Sequence, residues 1–504
     1  MKLFNKIAIG LAVMGMGINT ACTDLTPEIY SDVMIDDYYQ TPAQFATLIA
    51  NAYSQLAGEH GYVYREGYWS MQEYTGDGVV VPTRGTDWYD AGVPIAMHQH
   101  KWEFNTRDIN NGWSFAYGGV TKCNDVLKKI VEIKGEGPYD AATKAGVAEA
   151  KTLRAFYHLL AMDLYGNVTF DDGSGAEIKQ YTRTEMFNKI ESELLDAVND
   201  LDSTRRYGSM TLQVANTILA KMYLNAEVYT GTAQWQKALD YCNKVIESGQ
   251  YALSTDYFDT FKVDNTNNKE IIFPLVFDEV YAKGNMFHLM TLHYVHQDIY
   301  GLKTPPWNGP CTLGAYYDMY DAKDKRREQW FVGPVTDDAG KVLTYKHAES
   351  TVDAIFTKDL TTISDASGAN SFEGARFIKF ELESGIEHHA NSDFPIYRYA
   401  DILLMKAEAA LRLGDEATAV AAANEVRKRT GLADYTSLTL DELLDERGRE
   451  LAWEGHRRQD LIRFGKFTAA WQFKEQSEPF REIFPIPEWV ITANPGVYTQ
   501  NSGY

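Results

Sequence analysis

Cysteine is scarce, with four residues in 504: Cys22, Cys123, Cys242 and Cys311. So few thiols in so long a chain exclude a disulfide framework, and the last three read as core thiols, with at most one bridge. Long apolar runs are missing too. The run from Ile7 to Ile18 falls short of the roughly 20 residues that span a bilayer, and no later segment does better. Positive charge is in deficit, with 48 Lys and Arg against 70 Asp and Glu and a net charge of -22. Such a surface repels phosphate backbones and anionic headgroups, which excludes nucleic acid as a ligand and disfavours adhesion to an anionic membrane face. No Gly-x-Ser-x-Gly elbow, Walker A loop or Rossmann fingerprint occurs. His98 and His100 would share one side of a strand, but zinc needs a third and a fourth ligand. Asp256, Asp259, Asp264 and Asn265 lack the glycine and glutamate of an EF-hand loop. Neither a metal nor a cofactor is expected.

What is present begins at the N-terminus. Lys2 and Lys6 precede the apolar run, and Asn19-Thr-Ala-Cys22 follows it, the layout of a secretory signal peptide over 1–21. Cys22 after Ala21 fits a lipobox, in which the thiol takes a diacylglycerol, although Asn19 departs from the usual aliphatic residue. Acyl chains anchor firmly because each buried CH2 contributes about 0.8 kcal/mol. Membrane attachment is then through an N-terminal lipid, with the body 22–504 outside the bilayer.

Helical signals dominate that body. Thr41-Pro-Ala-Gln44 combines a cap, a first-turn proline and a capping-box glutamine, and Phe45, Leu48, Ile49, Ala52, Tyr53 and Leu56 follow at helical spacing up to Gly58. Thr182–Glu185 and Thr439–Glu442 open further helices in the same way. Two stretches read as tetratricopeptide-type helix pairs: Ala220–Tyr229 with Trp235–Ile246, and Ile402–Leu413 with Glu416–Arg429, each with alanines where the helices cross. Helices near 113–133 and 144–164 make a third unit with the one starting at Thr184. Helical scaffold therefore occupies 108–250 and 395–504.

Two insertions interrupt it, 59–107 and 254–390, rich in Gly, Pro, Asp, Asn and aromatics. Loops of that length are functional or disordered, and their aromatic content argues against disorder. Aromatics make up 13% of the chain, more than a helical core needs. A sugar offers an apolar C–H face and a rim of hydroxyls. An indole or phenol stacks on the face, while carboxylates, amides and guanidinium groups satisfy the rim. Arg84-Gly-Thr-Asp-Trp-Tyr-Asp90 supplies all of these groups, and Thr304-Pro-Pro-Trp-Asn-Gly-Pro310 pushes Trp307 outward from a stiff loop. The candidate ligand contacts are Trp88, Trp307, Asp87, Asp90, Asn308, Arg65, Asn285, Tyr89 and Tyr281.

The densest pattern is Glu446-Arg-Gly-Arg-Glu-Leu-Ala-Trp-Glu-Gly-His-Arg-Arg-Gln-Asp-Leu-Ile-Arg-Phe-Gly465. Charges of both signs at helical spacing read as a structural ion-pair belt, since each buried charge needs a partner. This pattern resembles the C-terminal signature of the SusD/RagB family of nutrient-capturing lipoproteins. Arg154-Ala-Phe-Tyr-His-Leu-Leu-Ala-Met-Asp-Leu-Tyr-Gly166, Pro395–Ala409, Phe484-Pro-Ile-Pro-Glu488, Asn494-Pro-Gly496 and Gln500–Tyr504 resemble other blocks of that family. The resemblance implies one continuous, mainly α SusD-like domain, with helix pairs as scaffold and the insertions carrying the ligand surface. It also implies an outer-membrane, cell-surface lipoprotein that captures oligo- or polysaccharide without chemistry and acts as the lid of a SusC-like TonB-dependent transporter. Trp88 and Trp307 stand where starch-binding members carry two tryptophans of an aromatic arc. Those members also carry an amide three residues beyond the first, where this chain has Ala91, a departure that points to another glycan. Two alternatives stay open: a peptide-capturing RagB-like protein, which needs pockets and main-chain partners more than stacked tryptophans, and a glycoside hydrolase, since two of 70 carboxylates can always lie at a working separation.

Overall fold

A computed structural model of the chain describes residues 39, 41–58, 60–347 and 350–504. Cys22 and the expected signal segment 1–21 lie outside the described residues. The architecture is mainly helical. The capping boxes define helix starts as expected. Thr41 Oγ1 accepts from Gln44 N at 3.3 Å while Gln44 Oε1 accepts from Thr41 N at 3.0 Å, opening α1 (Pro42–Tyr53). Thr182 with Glu185 and Thr439 with Glu442 repeat the device.

The first scaffold unit is α2 (Arg107–Lys134) packed on α3 (Ala141–Tyr165), with α4 (Arg183–Ala197) against α3. Gly119 sets the crossing of α2 and α3, because a Cβ there would overlap the Tyr157 ring. α5 (Leu212–Leu224) packs on α6 (Trp235–Glu247), and α7 (Tyr399–Arg412) on α8 (Glu416–Arg427), while α6 and α7 join the two pairs. Ala238, Ala407 and Ala419 are fully buried at these crossings. One expectation is corrected. The helix expected over Ala220–Tyr229 breaks at Asn225, where α5 ends and a short helix, Ala226–Thr230, begins. Asn225 Nδ2 donates to Lys221 O at 2.9 Å and its Oδ1 accepts from Arg463 at 3.0 Å. A side-chain amide competing for backbone partners favours such a break.

The mid-chain excursion is pinned at its neck. β1 (Ile271–Leu275) and β2 (Phe394–Arg398) pair antiparallel, Phe394 opposite Leu275 and Arg398 opposite Ile271. Between them, among the described residues, no helix exceeds five residues. The insertions do more than present a surface, however. Tyr62, Tyr68, Trp69, Tyr74 and Trp102 of the first and Phe287, Trp330, Phe377 and Phe380 of the second are buried in the main core. Trp69 Nε1 donates to Trp453 O at 3.0 Å, and Trp453 stacks on Phe377 with centroids 4.4 Å apart. Large rings cannot all stay wet on short turns, and here they fill the space between the excursions and the C-terminal helices.

The charged signature spans α9 (Leu440–Glu450) and α10 (Arg457–Arg463) and is the structural belt expected. Arg398 pairs with Glu450 at 2.6 Å, Glu454 at 2.7 Å and Glu270 at 2.9 Å, and Arg326 bridges Glu446 and Glu450 at 2.7 and 2.9 Å. Arg447 reaches Asp460 at 2.8 Å, and Arg463 grips Glu408 at 2.6 Å. Against the desolvation that burial imposes, the Arg326 and Arg449 guanidiniums hold Glu446 down to about 2. Each of these charges is bracketed by opposite ones, which offsets the cost of burying it.

Cys123, Cys242 and Cys311 are buried free thiols, so the allowed bridge does not form. His98 and His100 occupy a helix end (Val93–His98) and a turn with φ 56°, not a strand. Their rings bond Gln472 O at 2.9 Å and Thr75 O at 2.8 Å. Among the described residues no helix is long and apolar enough to cross a membrane.

Candidate functional site

The turn that carries Trp88 is built by Arg84 and Asp87, whose backbone groups exchange hydrogen bonds at 3.0 and 3.1 Å. Beyond it the chain enters the left-handed region at Trp88 (φ 56°), Asp90 (φ 40°) and Ala91 (φ 55°). Non-glycine residues rarely cluster there, and such strain persists only where the surroundings over-determine it. The result is a tight knuckle that turns the Trp88 indole toward the mid-chain excursion.

There it meets Trp307. Trp88 Nε1 donates to Trp307 O at 2.6 Å, and the two ring centroids lie 6.4 Å apart at 46°. Both indoles are half-buried, with one side against the core and the remainder open. Arg65 stands by both rings, its Cζ 5.3 Å from the Trp88 centroid and 5.9 Å from that of Trp307. Glu66 at 2.9 Å and Asp90 at 3.6 Å hold the guanidinium in place. Gly309 makes the indole's seat, since a Cβ there would stand 2.6 Å from Trp88 Nε1 and closer still to the ring carbons.

An open groove of about 480 Å³ runs beside the Trp307 and Arg65 side of this pair. Tyr64, Arg65, Met286 and Trp307 line it together with Glu279, Lys283 and Glu387. Glu279 and Lys283 belong to a hairpin closed by the Asp278–Ala282 bridge, and at its tip Tyr281 is 92% exposed. On the other flank Asp87 accepts from the Tyr294 hydroxyl, and Tyr294 stacks on Tyr345 with centroids 6.0 Å apart. Burial pushes the Asp87 carboxyl up from its ordinary range. The arrangement offers flat faces, a fixed guanidinium and carboxylates along a solvent-open trough.

The structure thus brings Trp88, Trp307, Arg65 and Asp90 together, with Asp87 alongside. Tyr89 is 60% exposed, one residue beyond Trp88. Asn285 and Asn308 are placed differently. Both are buried: the Asn285 amide donates to Ser392 O at 2.9 Å, and Asn308 Oδ1 accepts from Arg376 at 2.8 Å. These amides serve the loops that shape the groove rather than its open face. Tyr64, Met286, Lys283 and Tyr345 were not among the candidate contacts, and Tyr345 in particular carries no local signal, because only the fold of the second insertion sets it beside Tyr294.

Residues 215–504 match the SusD family model, and residues 29–224 match a family described as starch-binding and associating with outer membrane. Starch-binding protein SusD of Bacteroides thetaiotaomicron is 28% identical over 420 residues, covering 73% of this chain and 74% of that protein. SusD-like protein P25 of Formosa agariphila is 22% identical over 536 residues, covering 93% and 94%. Among solved structures, surface glycan-binding protein A of Bacteroides thetaiotaomicron in complex with laminarihexaose superposes with a TM-score of 0.74 at 23% identity, over 91% of this chain and 99% of that one. That likeness concerns the fold. One family model spans more than half of the sequence and the charged belt and closing segment fall within it, so this protein belongs to the SusD family.

Proposed function

We propose that this protein captures an oligo- or polysaccharide on the Trp88–Trp307 platform and hands it to a SusC-like TonB-dependent transporter in the outer membrane. The observation that carries the reading is the meeting of two half-open indoles, 219 residues apart in sequence, around one guanidinium at the edge of an open groove. Pyranose faces stack on the indoles, while Arg65, Asp90 and the groove carboxylates take up hydroxyls. Net gain per hydrogen bond is small because sugar and site both exchange water for each other, so single-site affinity is modest. The starch-binding and glycan-binding names of the relatives support a carbohydrate ligand. They are binding proteins, which supports capture without bond cleavage. Ala91, in place of the amide of starch binders, favours a glycan other than starch. Cys22 would carry the lipid that tethers the body at the cell surface, and closure over the transporter would trap ligand.

Affinity-gel electrophoresis against a polysaccharide panel, with a peptide library alongside, tests this. Retardation by one glycan class that Trp88→Ala abolishes is the expected result. Binding of peptides with Trp88→Ala unaffected would move the reading to peptide capture. Release of labelled fragments from an oligosaccharide would make the protein a hydrolase.

A further inference from the structure

Beneath the platform lie two arginines that the belt does not use. Arg376 is fully buried and Arg84 is 3% exposed, yet among the described residues neither forms an ion pair. Their partners are neutral. Arg84 Nη1 donates to Asn370 O and its Nη2 to Glu373 O at 2.8 Å and to Cys311 Sγ at 3.5 Å. Arg376 Nη2 donates to Ser371 O at 2.7 Å and Asn308 Oδ1 at 2.8 Å, and its Nη1 to Gly309 O at 3.3 Å. Burial pushes both guanidiniums down from their ordinary range, and at Arg376 the Arg84 charge adds to the effect. Each keeps an Nε–H without a partner.

A buried charge with no ion-pair partner is costly, even with the Glu373 charge offsetting part of the burial at Arg84, and an apolar residue of the same volume would serve packing better. What a guanidinium supplies instead is a rigid planar fork of donors. Both forks converge on one short segment, residues 370–376. Arg84 ties it to the knuckle that carries Asp87 and Trp88. Arg376, at the other end, ties it to Asn308 and Gly309, the residues that follow Trp307, and Gly309 seats the Trp88 ring. Asn308, held at φ 54°, has its side-chain oxygen fixed by that same fork.

We propose that Arg84 and Arg376 are positioning residues for the binding platform, cross-linking the Trp88 and Trp307 loops through segment 370–376. This rests on the glycan-platform reading, but the geometry of the indole pair can be measured without any glycan. Arg376→Met and Arg84→Met are each compared with the wild type in thermal midpoint, affinity for a glycan the wild type binds, and the near-UV circular dichroism owed to Trp88, taken as each protein minus its own Trp88→Phe version. The expected result is a midpoint within a few degrees of wild type, loss of the Trp88 signal, and about a tenfold or greater fall in affinity. Adding Trp88→Ala should then weaken binding no further than Trp88→Ala alone, as residues acting through one element are non-additive. A folded Arg376→Met with the wild-type Trp88 signal overturns the proposal, as does an affinity loss fully additive with Trp88→Ala. If the wild type binds no glycan, the functional reading falls alone, and persistence or loss of the Trp88 signal still decides this one. If Arg376→Met fails to fold, Arg376→Lys keeps the charge but not the fork: a wild-type Trp88 signal there overturns the proposal, and a diminished one supports it.

Discussion

Replacing Gly309 by alanine would move a tryptophan without removing it. The added Cβ would stand 2.6 Å from Trp88 Nε1 and closer to the ring carbons, whereas ordinary contact begins near 3.5 Å. Gly309 is not in the left-handed region, so its own backbone accepts alanine and the strain falls on the indole, which must retreat by about 1 Å or more. That retreat breaks the 2.6 Å bond to Trp307 O, worth about 1 kcal/mol. It also loosens the stack on Arg65, worth about 0.5–1 kcal/mol at a half-open site. The loss in folding stability is then about 2 kcal/mol, a shift of a few degrees at most in a chain of this size. Ligand binding should suffer more than that shift suggests. A displaced tryptophan anchor costs about 2 kcal/mol, roughly thirtyfold in Kd. Isothermal titration with a soluble oligosaccharide, run beside thermal denaturation, reads both quantities. A folded Gly309→Ala protein with wild-type affinity would refute the reasoning, since the ligand would then be indifferent to where Trp88 stands.

The belt makes a contrasting prediction. Glu450→Ala takes away the carboxylate that Arg398, Arg429 and Arg326 share, all within 2.9 Å of it, leaving three guanidiniums to Glu270, Glu446, Glu454 and Asp324, and should cost about 3 kcal/mol in urea denaturation; a loss under about 1 kcal/mol would mean the remaining carboxylates compensate. Acid should act on the same groups. Glu446 is held down to about 2 and Asp460 and Asp401 lie well below their ordinary range, so the stability they contribute is complete above the unfolded carboxylate value near about 4.3 and drains away as pH falls toward about 2. Glu446→Gln should flatten that acid limb. Glu73 has the opposite sign. Burial raises it from its ordinary 4.5 to about 8, so the folded state holds a proton the unfolded state releases, and stability falls as pH rises between those values. Glu73→Gln should remove that fall, and a pH profile that does not change with the substitution would show Glu73 ionised in the fold.

Helix starts, the belt and the family were legible in the chain because their physics is local. A capping box closes within one turn, as Thr439 and Glu442 show, and apolar spacing of 3.6 residues names the face a helix will bury. The belt reads as ion pairs from composition alone, because charges packed that densely on apolar helices have no other way to be buried. The excursions were visible as breaks in periodicity, and Arg84-Gly-Thr-Asp-Trp-Tyr-Asp90 as a turn rich in binding chemistry.

The fate of each ring within the excursions could not be read locally. Trp69 and Trp88 sit 19 residues apart in the same insertion, yet Trp69, in the short helix Tyr68–Glu73, is sealed by Trp453 and Phe287 while Trp88 stays half-buried. Trp102 is buried because Tyr504, the last residue, accepts its indole N–H at 2.7 Å. Asn285 and Asn308 look like equal candidates until Ser392 and Arg376 arrive to engage them. The helical frame, the position of its interruptions and the charge economy of its core follow from local patterns in the chain. Which aromatic side chains meet solvent is settled by long-range packing. Exposure depends on contacts made across hundreds of residues, and no pattern with a period of a few residues records them.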